Sequence, residues 1–356
     1  MTPVTRPALA SALAVVLALH PAAARPALAQ DDISTSAAQA GAVCHGGTSG
    51  GVGEPRAGDG VPDPAGRIAY GVVTSNDPLF GPIASLYAVD PDGSDRVLLL
   101  DCDTIRPSWS PDGSRLAFTL RMADGSWQVA TMAADGSDLQ VVTSGPGIHE
   151  IPSWAPDGSW LAYDFSPLQD LEDPAFRTTI WRIGADGSDP ALLGDPEAFD
   201  TEPRMSPDGT RVAFVRWYPD DGWTNRVILR DIETGEERPL TSQARSFEHP
   251  EWSPEGRWII LNTPDGEVEG IAPSVLRFDA DDPAAEPVVL VTGTSSSGGV
   301  KPMYSPDGAR IAFVCVTPTR TPDGLCVMDA DGSDVEVVVD DPNENENHPA
   351  WGVAGG

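Results

Sequence analysis

The chain has 356 residues, which is enough for one large domain or two ordinary ones, and its 35 prolines and 36 glycines favour short strands joined by tight turns over long helices. Its 54 acidic residues outnumber its 22 basic ones and give a formal net charge of −32. Because nucleic acids and anionic membrane surfaces are bound through basic side chains, this charge excludes both as partners.

Residues 1–29 have the pattern of a signal peptide. Arg6 precedes the apolar run Ala8–Leu19, and Ala27-Leu28-Ala29 offers a cleavage site. The run is too short to span a membrane, and no later stretch is long and apolar enough to do so. We therefore expect an exported protein, secreted or periplasmic. Residues 30–61 lack an apolar period, so we expect them to form a flexible leader.

The rest of the chain carries an internal repeat. Its motif has the form Pro-x-Trp-Ser-Pro-Asp-Gly, with small variations, and five copies begin at Pro107, Pro152, Pro203, Pro250 and Pro302, spaced by 45, 51, 47 and 52 residues. Pro-Asp-Gly predicts a tight turn, because proline presets φ, aspartate bonds back to the backbone and glycine accepts a positive φ. A second turn, Asp-Gly-Ser-Asp, recurs from Asp92, Asp135, Asp186 and Asp331. Each repeat thus has room for four short strands, which is the size of a propeller blade.

A sixth copy of the motif is divided between the two ends of the chain. Pro349-Ala350-Trp351 follows Pro302 by 47 residues, and the missing half stands at Pro64–Tyr70. A closed ring explains this division, because its last strand then completes the first blade and leaves no open edge. We expect an all-β, six-bladed β-propeller over residues 62–353, closed by a C-terminal strand. The third residue of each motif is expected to be buried between blades: Trp109, Trp154, Met205, Trp252, Tyr304 and Trp351.

The pattern Pro-x-Trp-Ser-Pro-Asp-Gly-x-x-Ile-Ala-Phe resembles the propeller repeat of the TolB family, a WD40-like repeat, over about residues 62–353. The resemblance implies the propeller fold, while the repeated residues themselves build blades and do not define a function. TolB also has an α/β domain before its propeller. Only the leader precedes the repeats here, so the partners of TolB are not implied. Similar propellers occur in prolyl oligopeptidases, but this sequence has no Gly-x-Ser-x-Gly nucleophile elbow.

Strand alternation places the two repeated turns on one face of the ring and the divergent loops on the other, where function is expected. The residue before the first strand of each repeat should lie at the mouth of the central channel. These residues are Arg106, Ile151, Glu202, His249, Lys301 and His348, and Glu150 and Glu248 stand one place earlier. In a neighbouring loop, Trp217, Tyr218 and Trp223 are expected to be exposed and to add contact area. We expect a binding module for a protein or a cell-envelope ligand at this variable face and channel mouth.

The serines, histidines and carboxylates have no spacing that links a nucleophile, a base and an orienting group, so we expect neither an enzyme nor a required cofactor. The alternative is a metal-dependent lyase or lactonase that acts in the channel. Its candidate ligands are the histidines of the repeats, His149, His249 and His348. The Asp-x-Asp-Gly-Ser-Asp turns keep a fragment of a calcium loop, but ordinary hairpin turns are the stronger explanation.

The four cysteines are candidates for disulfides, because an exported protein folds under oxidising conditions. Cys315 ends one predicted strand and Cys326 begins the next, so a hairpin places them within disulfide reach. That leaves Cys44 with Cys102, a pair that would attach the leader to the end of the first blade. We expect both disulfides, in a monomer.

Overall fold

A computed structural model describes residues 41–44, 66–77, 81–167, 176–242, 246–263, 274–292, 301–315, 324–341 and 345–353. Nearly all regular structure in these ranges is β-strand, with one short 3₁₀ helix at Pro219–Asp221. The signal peptide expected at residues 1–29 and most of the leader expected at 30–61 lie outside the described ranges. No helix within them is long and apolar enough to cross a membrane.

The described strands form a propeller arrangement that includes four antiparallel sheets of four strands each. The first sheet has the order β24-β1-β2-β3, so the last strand of the chain lies beside the first. Its strands are β1 (Ile68–Asp77), β2 (Gly81–Val89), β3 (Val97–Leu100) and β24 (Asn345–Trp351). The other three sheets follow chain order. Their strands are β12 (Phe199–Met205), β13 (Arg211–Tyr218), β14 (Thr224–Asp231) and β15 (Glu237–Pro239); β16 (Glu248–Trp252), β17 (Trp258–Thr263), β18 (Ser274–Asp279) and β19 (Val288–Thr292); β20 (Met303–Tyr304), β21 (Arg310–Cys315), β22 (Gly324–Asp329) and β23 (Glu336–Val339).

A further sheet of eight strands has the order β11-β10-β9-β8-β6-β5-β4, with β7 beside β6. Its strands are β4 (Thr104–Trp109), β5 (Arg115–Arg121), β6 (Trp127–Ala133), β7 (Gln140–Val141), β8 (Ile148–Trp154), β9 (Trp160–Ser166), β10 (Thr179–Gly184) and β11 (Ala191–Leu192). The two halves of this sheet meet at a single parallel residue pair, Trp127 with Ile148.

The closure by the C-terminal strand is confirmed. Ile68 in β1 pairs with Trp351 in β24, and Ala69 pairs with Ala350. The Trp351 indole N–H donates to the Gly66 carbonyl at 3.0 Å. The first sheet is therefore assembled from both ends of the described chain, which removes the exposed edge that an open ring would leave.

The core lies between neighbouring sheets and is built from the repeated motif. The third motif residues are buried as predicted, none with more than 9% of its surface exposed: Trp109, Trp154, Met205, Trp252, Tyr304 and Trp351. Two of the indoles also reach the backbone of the preceding repeat. Trp154 donates to the Ser108 carbonyl at 3.0 Å, and Trp252 donates to the Arg204 carbonyl at 3.1 Å. The same side chain therefore fills the core and links two repeats.

The second repeated turn is stabilised by its own side chains. Asp135 accepts hydrogen bonds from the amide and the hydroxyl of Ser137, at 2.9 and 2.6 Å. The equivalent aspartates Asp92 and Asp331 bind their own serines in the same way. These hydrogen bonds lower the pKa of Asp135. In all three turns the carboxylate thus fixes a hairpin turn.

Candidate functional site

The innermost strands β4, β8, β12, β16, β20 and β24 surround one axis. At the end of the repeated turns, their residues enclose a cavity of about 380 Å³ whose walls include all six third-motif residues. Arg204 and Glu251 form an ion pair there, with 3.0 Å between Nε and Oε2. Burial raises the pKa of Glu251 to about 6, although Arg204 opposes the shift. Sequence analysis predicted no cavity at this end, because it treated the repeated turns as a uniform surface.

At the opposite end of the same strands, six residues share an unusual backbone conformation, and we call them the mouth ring. Their φ angles lie between 43° and 61°, a region that non-glycine residues rarely adopt. The mouth ring consists of Arg106, Ile151, Glu202, His249, Lys301 and His348. A positive φ costs a non-glycine residue about 1–2 kcal/mol, so surrounding contacts must hold each one in place.

Five of the six positive φ angles, all except that of Lys301, arise at β-bulges. In β4, Ile105 pairs with Thr119 and Ser108 pairs with Ala117, so Arg106 and Pro107 together lie opposite Phe118. Register shifts at the same place occur in β8, β12 and β16, and between β24 and β1. The prediction that the mouth residues precede the strands is therefore wrong for all but Lys301. The strands begin earlier, and a bulge turns these residues out of the ladder.

Side chains of the preceding repeat hold three of the bulges. The Ile151 amide donates to the Thr119 hydroxyl at 3.2 Å, and the Glu202 amide donates to Asp164 Oδ2 at 3.1 Å. The His249 amide donates to Glu202 Oε2 at 2.6 Å. Thr119 and Asp164 each follow the apolar run of their repeat, at equivalent positions of β5 and β9. Sequence reasoning missed both, although this shared position was visible in the repeat.

The ionisable side chains of the mouth ring lie close to one another and to neighbouring carboxyl groups. Arg106 Nε lies 3.7 Å from Glu150 Oε2. The His249 ring lies 3.7 Å from Glu202 and 3.9 Å from Glu248, measured between ring nitrogen and carboxylate oxygen. The rings of His249 and His348 are 5.8 Å apart between centroids. The structure thus brings together the ionisable residues that the sequence placed at the channel mouth.

Burial controls the titration of these groups. It lowers the pKa of His249 to about 3, and burial with the charge of Lys301 lowers the pKa of His348 well below its usual range. Both imidazoles are therefore neutral at neutral pH.

The buried carboxylates respond in two directions. Burial raises the pKa of Glu150. Burial also raises the pKa of Asp164, and the negative charge of the nearby Glu150 adds to that rise. Burial also acts on Glu202, but the hydrogen bond from the His249 amide and the charge of Arg106 oppose it, and the pKa of Glu202 lies below its usual value. The mouth therefore combines ionised and easily protonated carboxyls.

His149 does not join the other two histidines. Its ring stacks on Phe165 at 4.4 Å between centroids and lies 5.7 Å from Tyr163. Across the described ranges, no group of three or more His, Cys, Asp or Glu residues is arranged to hold a metal ion. Among the described residues, His149 therefore lies apart from His249 and His348.

The prediction of an exposed aromatic loop is wrong for Trp217. This residue lies within β13, has 4% of its surface exposed, and donates its indole N–H to the Thr201 hydroxyl at 3.2 Å. Because β13 continues to Tyr218 and β14 begins at Thr224, the loop is shorter than expected. Tyr218 and Trp223 are half-buried, and Trp223 packs edge-on against Phe199 at 5.6 Å.

Both predicted disulfides are present, Cys44–Cys102 and Cys315–Cys326. Cys44 belongs to the expected leader, where the Val43 amide donates to the Arg121 carbonyl at 3.0 Å. Residues 41–44 are thus attached beside the end of β5. Cys102 precedes β4, and Cys315 ends β21, so both disulfides lie at the mouth end of the axis. Such bonds are typical of proteins outside the cytoplasm.

Comparison with known proteins gives a family and several relatives. Residues 89–296 match the family described as the TolB beta propeller domain. The Tol-Pal system protein TolB of Anaeromyxobacter dehalogenans is 33% identical over 142 residues, which cover 40% of this chain and 29% of that protein. The uncharacterized protein Atu1656 of Agrobacterium fabrum is 25% identical over 224 residues, or 56% of this chain and 73% of that protein. The match therefore spans less than a third of the length of this TolB relative.

Solved structures share the fold at lower identity. TolB from Acinetobacter baumannii matches with a TM-score of 0.66 and 22% identity, over 82% of this chain and 68% of that chain. An oligogalacturonate lyase in complex with manganese matches with a TM-score of 0.51 and 16% identity, over 71% of this chain and 70% of that chain. These likenesses concern the fold alone. The sequence match covers more than half of the chain and coincides with the repeated motif, and on this evidence the chain belongs to the TolB beta propeller domain family.

Proposed function

We propose that this chain is an exported, monomeric, non-enzymatic binding module of the cell envelope, and that it holds a protein or another envelope ligand at the mouth ring. One observation carries the proposal. Ionisable residues from separate repeats converge at one end of the axis, and bulges held by hydrogen bonds position two of them, Glu202 and His249. A pre-positioned mixture of donors and acceptors favours directional polar contacts and reduces the cost of ordering the site on binding.

The composition of the mouth indicates the kind of surface it would bind. Arg106 and Lys301 offer positive charge, Glu202 offers negative charge, and the neutral His249 and His348 offer hydrogen bonds. Such a mixture suits a polar segment of another protein better than a uniformly charged ligand. The TolB relative is a Tol-Pal system protein. That relationship supports an envelope protein as the partner and the periplasm as the compartment.

The proposal includes the organisation of the mature protein. Residues 1–29 are a signal peptide, residues 30–61 a leader, and residues 62–353 a propeller of six blades. The single residue pair between β6 and β8 supports a division of the eight-stranded sheet into two blades. A crystal structure in which β4–β7 and β8–β11 form separate sheets around the axis would support six blades. Any other number of blades in it would contradict the proposal.

Site-specific photo-crosslinking tests the binding site. A photoreactive amino acid is placed at Lys301 in the mouth ring or, as the matched control, at Asp135 in a repeated turn on the opposite face. The protein is expressed in its native host, irradiated, and its adducts are identified by mass spectrometry. We expect one reproducible adduct with an envelope protein from position 301 and none from position 135. An adduct from position 135 alone would place the binding face at the other end.

The second candidate function is a metal-dependent lyase in the channel. It is supported by the shared fold of the manganese-containing lyase and by the proximity of the His249 and His348 rings. Metal analysis of protein purified without chelators separates the two candidates. A stoichiometric transition metal, together with manganese-dependent cleavage of oligogalacturonate that His249→Ala abolishes, would favour the lyase over the binding module.

A further inference from the structure

The cavity of about 380 Å³ at the end of the repeated turns has an apolar rim. The rim contains the proline of each of the five repeated turns and, at the corresponding place in the sixth motif, a valine. These residues are Pro111, Pro156, Pro207, Pro254, Pro306 and Val353. Pro111 and Pro207 are exposed, so the cavity opens to solvent on this face. Its volume is within the range of small-molecule sites, about 300–1,000 Å³.

Deeper along the inner strands, the wall includes the second residue of each motif. These residues are Ser108, Ser153, Arg204, Glu251, Met303 and Ala350. Among the described residues that line the cavity, only Arg204 and Glu251 carry a formal charge. They come from neighbouring repeats, in β12 and β16, and the other four positions hold small or uncharged side chains. The cavity therefore contains one ion pair on one side and open space opposite it.

Both members of this ion pair are accessible. The side chain of Arg204 keeps 20% of its surface exposed and that of Glu251 keeps 17%. Arg204 Nε donates to Glu251 Oε2, and Nη1 donates to the Pro203 carbonyl at 2.9 Å. Within the part of the chain that the structure describes, Nη2 donates to no atom, and it is not fully buried, so a ligand in the cavity can reach it.

The carboxylate of the pair is ionised at neutral pH but only partly compensated. Burial raises the pKa of Glu251 to about 6, although Arg204 opposes the shift. A second positive group beside Glu251 would therefore stabilise its charged form. The pair thus presents one available donor and one available anion, side by side.

We propose that this cavity binds a zwitterionic α-amino acid with an apolar side chain. The ligand carboxylate accepts from Arg204 Nη2, its ammonium group donates to Glu251, and its side chain packs against Met303 and the proline rim. The two charged groups of an α-amino acid are attached to one carbon, so they can reach two partners that lie 3.0 Å apart. A ligand that is only an anion would lie beside Glu251, and one that is only a cation would lie beside Arg204, so either would meet a like charge.

Isothermal titration of the purified protein at pH 7.5 tests this site. L-leucine, L-methionine and L-phenylalanine differ in side-chain size, and we expect at least one of them to bind at one site per chain. The N-acetyl derivative of the tightest binder lacks the ammonium group and its amide lacks the carboxylate, so each should bind at least tenfold more weakly. Glycine should bind about tenfold more weakly because it lacks the apolar side chain. No binding by any of the three amino acids, or equal binding by either derivative or by glycine, would overturn the proposal.

Two variants connect binding to this cavity. Glu251→Gln can still accept from Arg204 but has no charge, so it should weaken the amino acid at least tenfold and strengthen its N-acetyl derivative. Arg204→Gln should weaken both ligands, because both bind through a carboxylate. Asp138→Asn removes one member of the Arg115–Asp138 ion pair, which lies outside the cavity, and as the matched control it should bind like the unmodified protein.

Circular dichroism verifies that each variant is folded. A folded Glu251→Gln variant that binds the amino acid like the unmodified protein would show that the ion pair does not hold the ligand, which would contradict the proposal. Crosslinking from Lys301 reports on the mouth ring and not on this cavity, so the proposed function stands or falls separately.

Discussion

The two ends of the propeller axis are built from the same inner strands, yet they differ in how their side chains are used. At the end of the repeated turns, the third motif residue fills the core and the aspartates bind the serines of their own turns. At the mouth, five different residue types occupy the six copies of one strained backbone position. Residue types are therefore similar from repeat to repeat where neighbouring repeats pack against each other. At the opposite end of each inner strand, the residue types differ between repeats.

The electrostatics of the two ends differ as well. Hydrogen bonds from serine lower the pKa of turn carboxylates such as Asp112 and Asp135, which lie near the surface. Burial raises the pKa of Glu150 and Asp164 behind the mouth. The turn carboxylates therefore stabilise the fold when they are ionised, while the buried ones are costly to ionise. We conclude that the turn carboxylates stabilise the fold. The buried carboxyls are retained despite their cost because they contact the residues of the mouth ring.

The largest expected effect of a single substitution is at the repeated end. Trp154→Ala removes a buried ring and the hydrogen bond to the Ser108 carbonyl, so it should cost about 3–5 kcal/mol in unfolding free energy. The melting midpoint should fall by roughly 10 °C, measured by circular dichroism. Crosslinking from position 301 should persist below that temperature. Loss of the crosslink in the folded variant would mean that the two ends are not independent.

The structure of the repeated end was predictable from sequence because it depends on short motifs, each of which determines a turn or a buried position locally. The Pro-Asp-Gly turns, the buried Trp109 and Trp351, and the closure of the ring all follow from a motif that recurs at fixed spacing. The split copy of the motif at the chain ends could be joined without knowing any contact.

The mouth was only partly predictable, because its geometry depends on how the strands pair. The six mouth residues were identified, but their bulges follow from the pairing register, which spacing alone does not determine. One signal was available. Each mouth residue precedes a proline, and proline within a strand is confined to edges and bulges. Trp217 was misplaced for a related reason, since only pairing with Asn225 shows that β13 extends so far.

An effect of similar or slightly smaller size is expected from the disulfides, both of which lie at the mouth end. In the chain-entropy account, the 58-residue separation of Cys44 and Cys102 gives about 4 kcal/mol, and the 11-residue separation of Cys315 and Cys326 gives about 3 kcal/mol. Replacing each pair by serines should lower the unfolding free energy in that order, measured in guanidinium chloride. Hydrogen exchange should rise near residues 102–105 or 324–327 and remain unchanged in the repeated turns. Equal loss of protection at both ends would show that the disulfides stabilise the whole ring.

The smallest expected change in stability is that of a substitution at Asp164. Its dependence on pH should have the opposite sign to that of a turn aspartate, which makes it the clearest contrast between the two ends. Because its folded-state pKa is raised, its protonated form stabilises the fold at low pH, and that contribution is lost as the pH rises through the folded-state pKa. Asn at this position stays neutral and can still accept the hydrogen bond from the Glu202 amide. Asp164→Asn should therefore be about 1 kcal/mol more stable than the unmodified protein at pH 7. The gain should shrink toward zero as the pH approaches about 4, near the pKa of aspartate in an unfolded chain.

Asp135→Asn in the repeated turn is the control with the opposite sign. The pKa of Asp135 is lowered by Ser137, so its contribution to stability is present above the unfolded-state pKa and is lost as the pH falls through the folded-state pKa. This variant should be slightly less stable at pH 7 and indistinguishable from the unmodified protein in strong acid. Thermal melts of both variants from pH 3 to pH 8 measure the two trends. If Asp164→Asn is destabilised at pH 7, the ionised carboxylate is itself needed to hold the Glu202 bulge, and the mouth is stabilised by charge as the turns are.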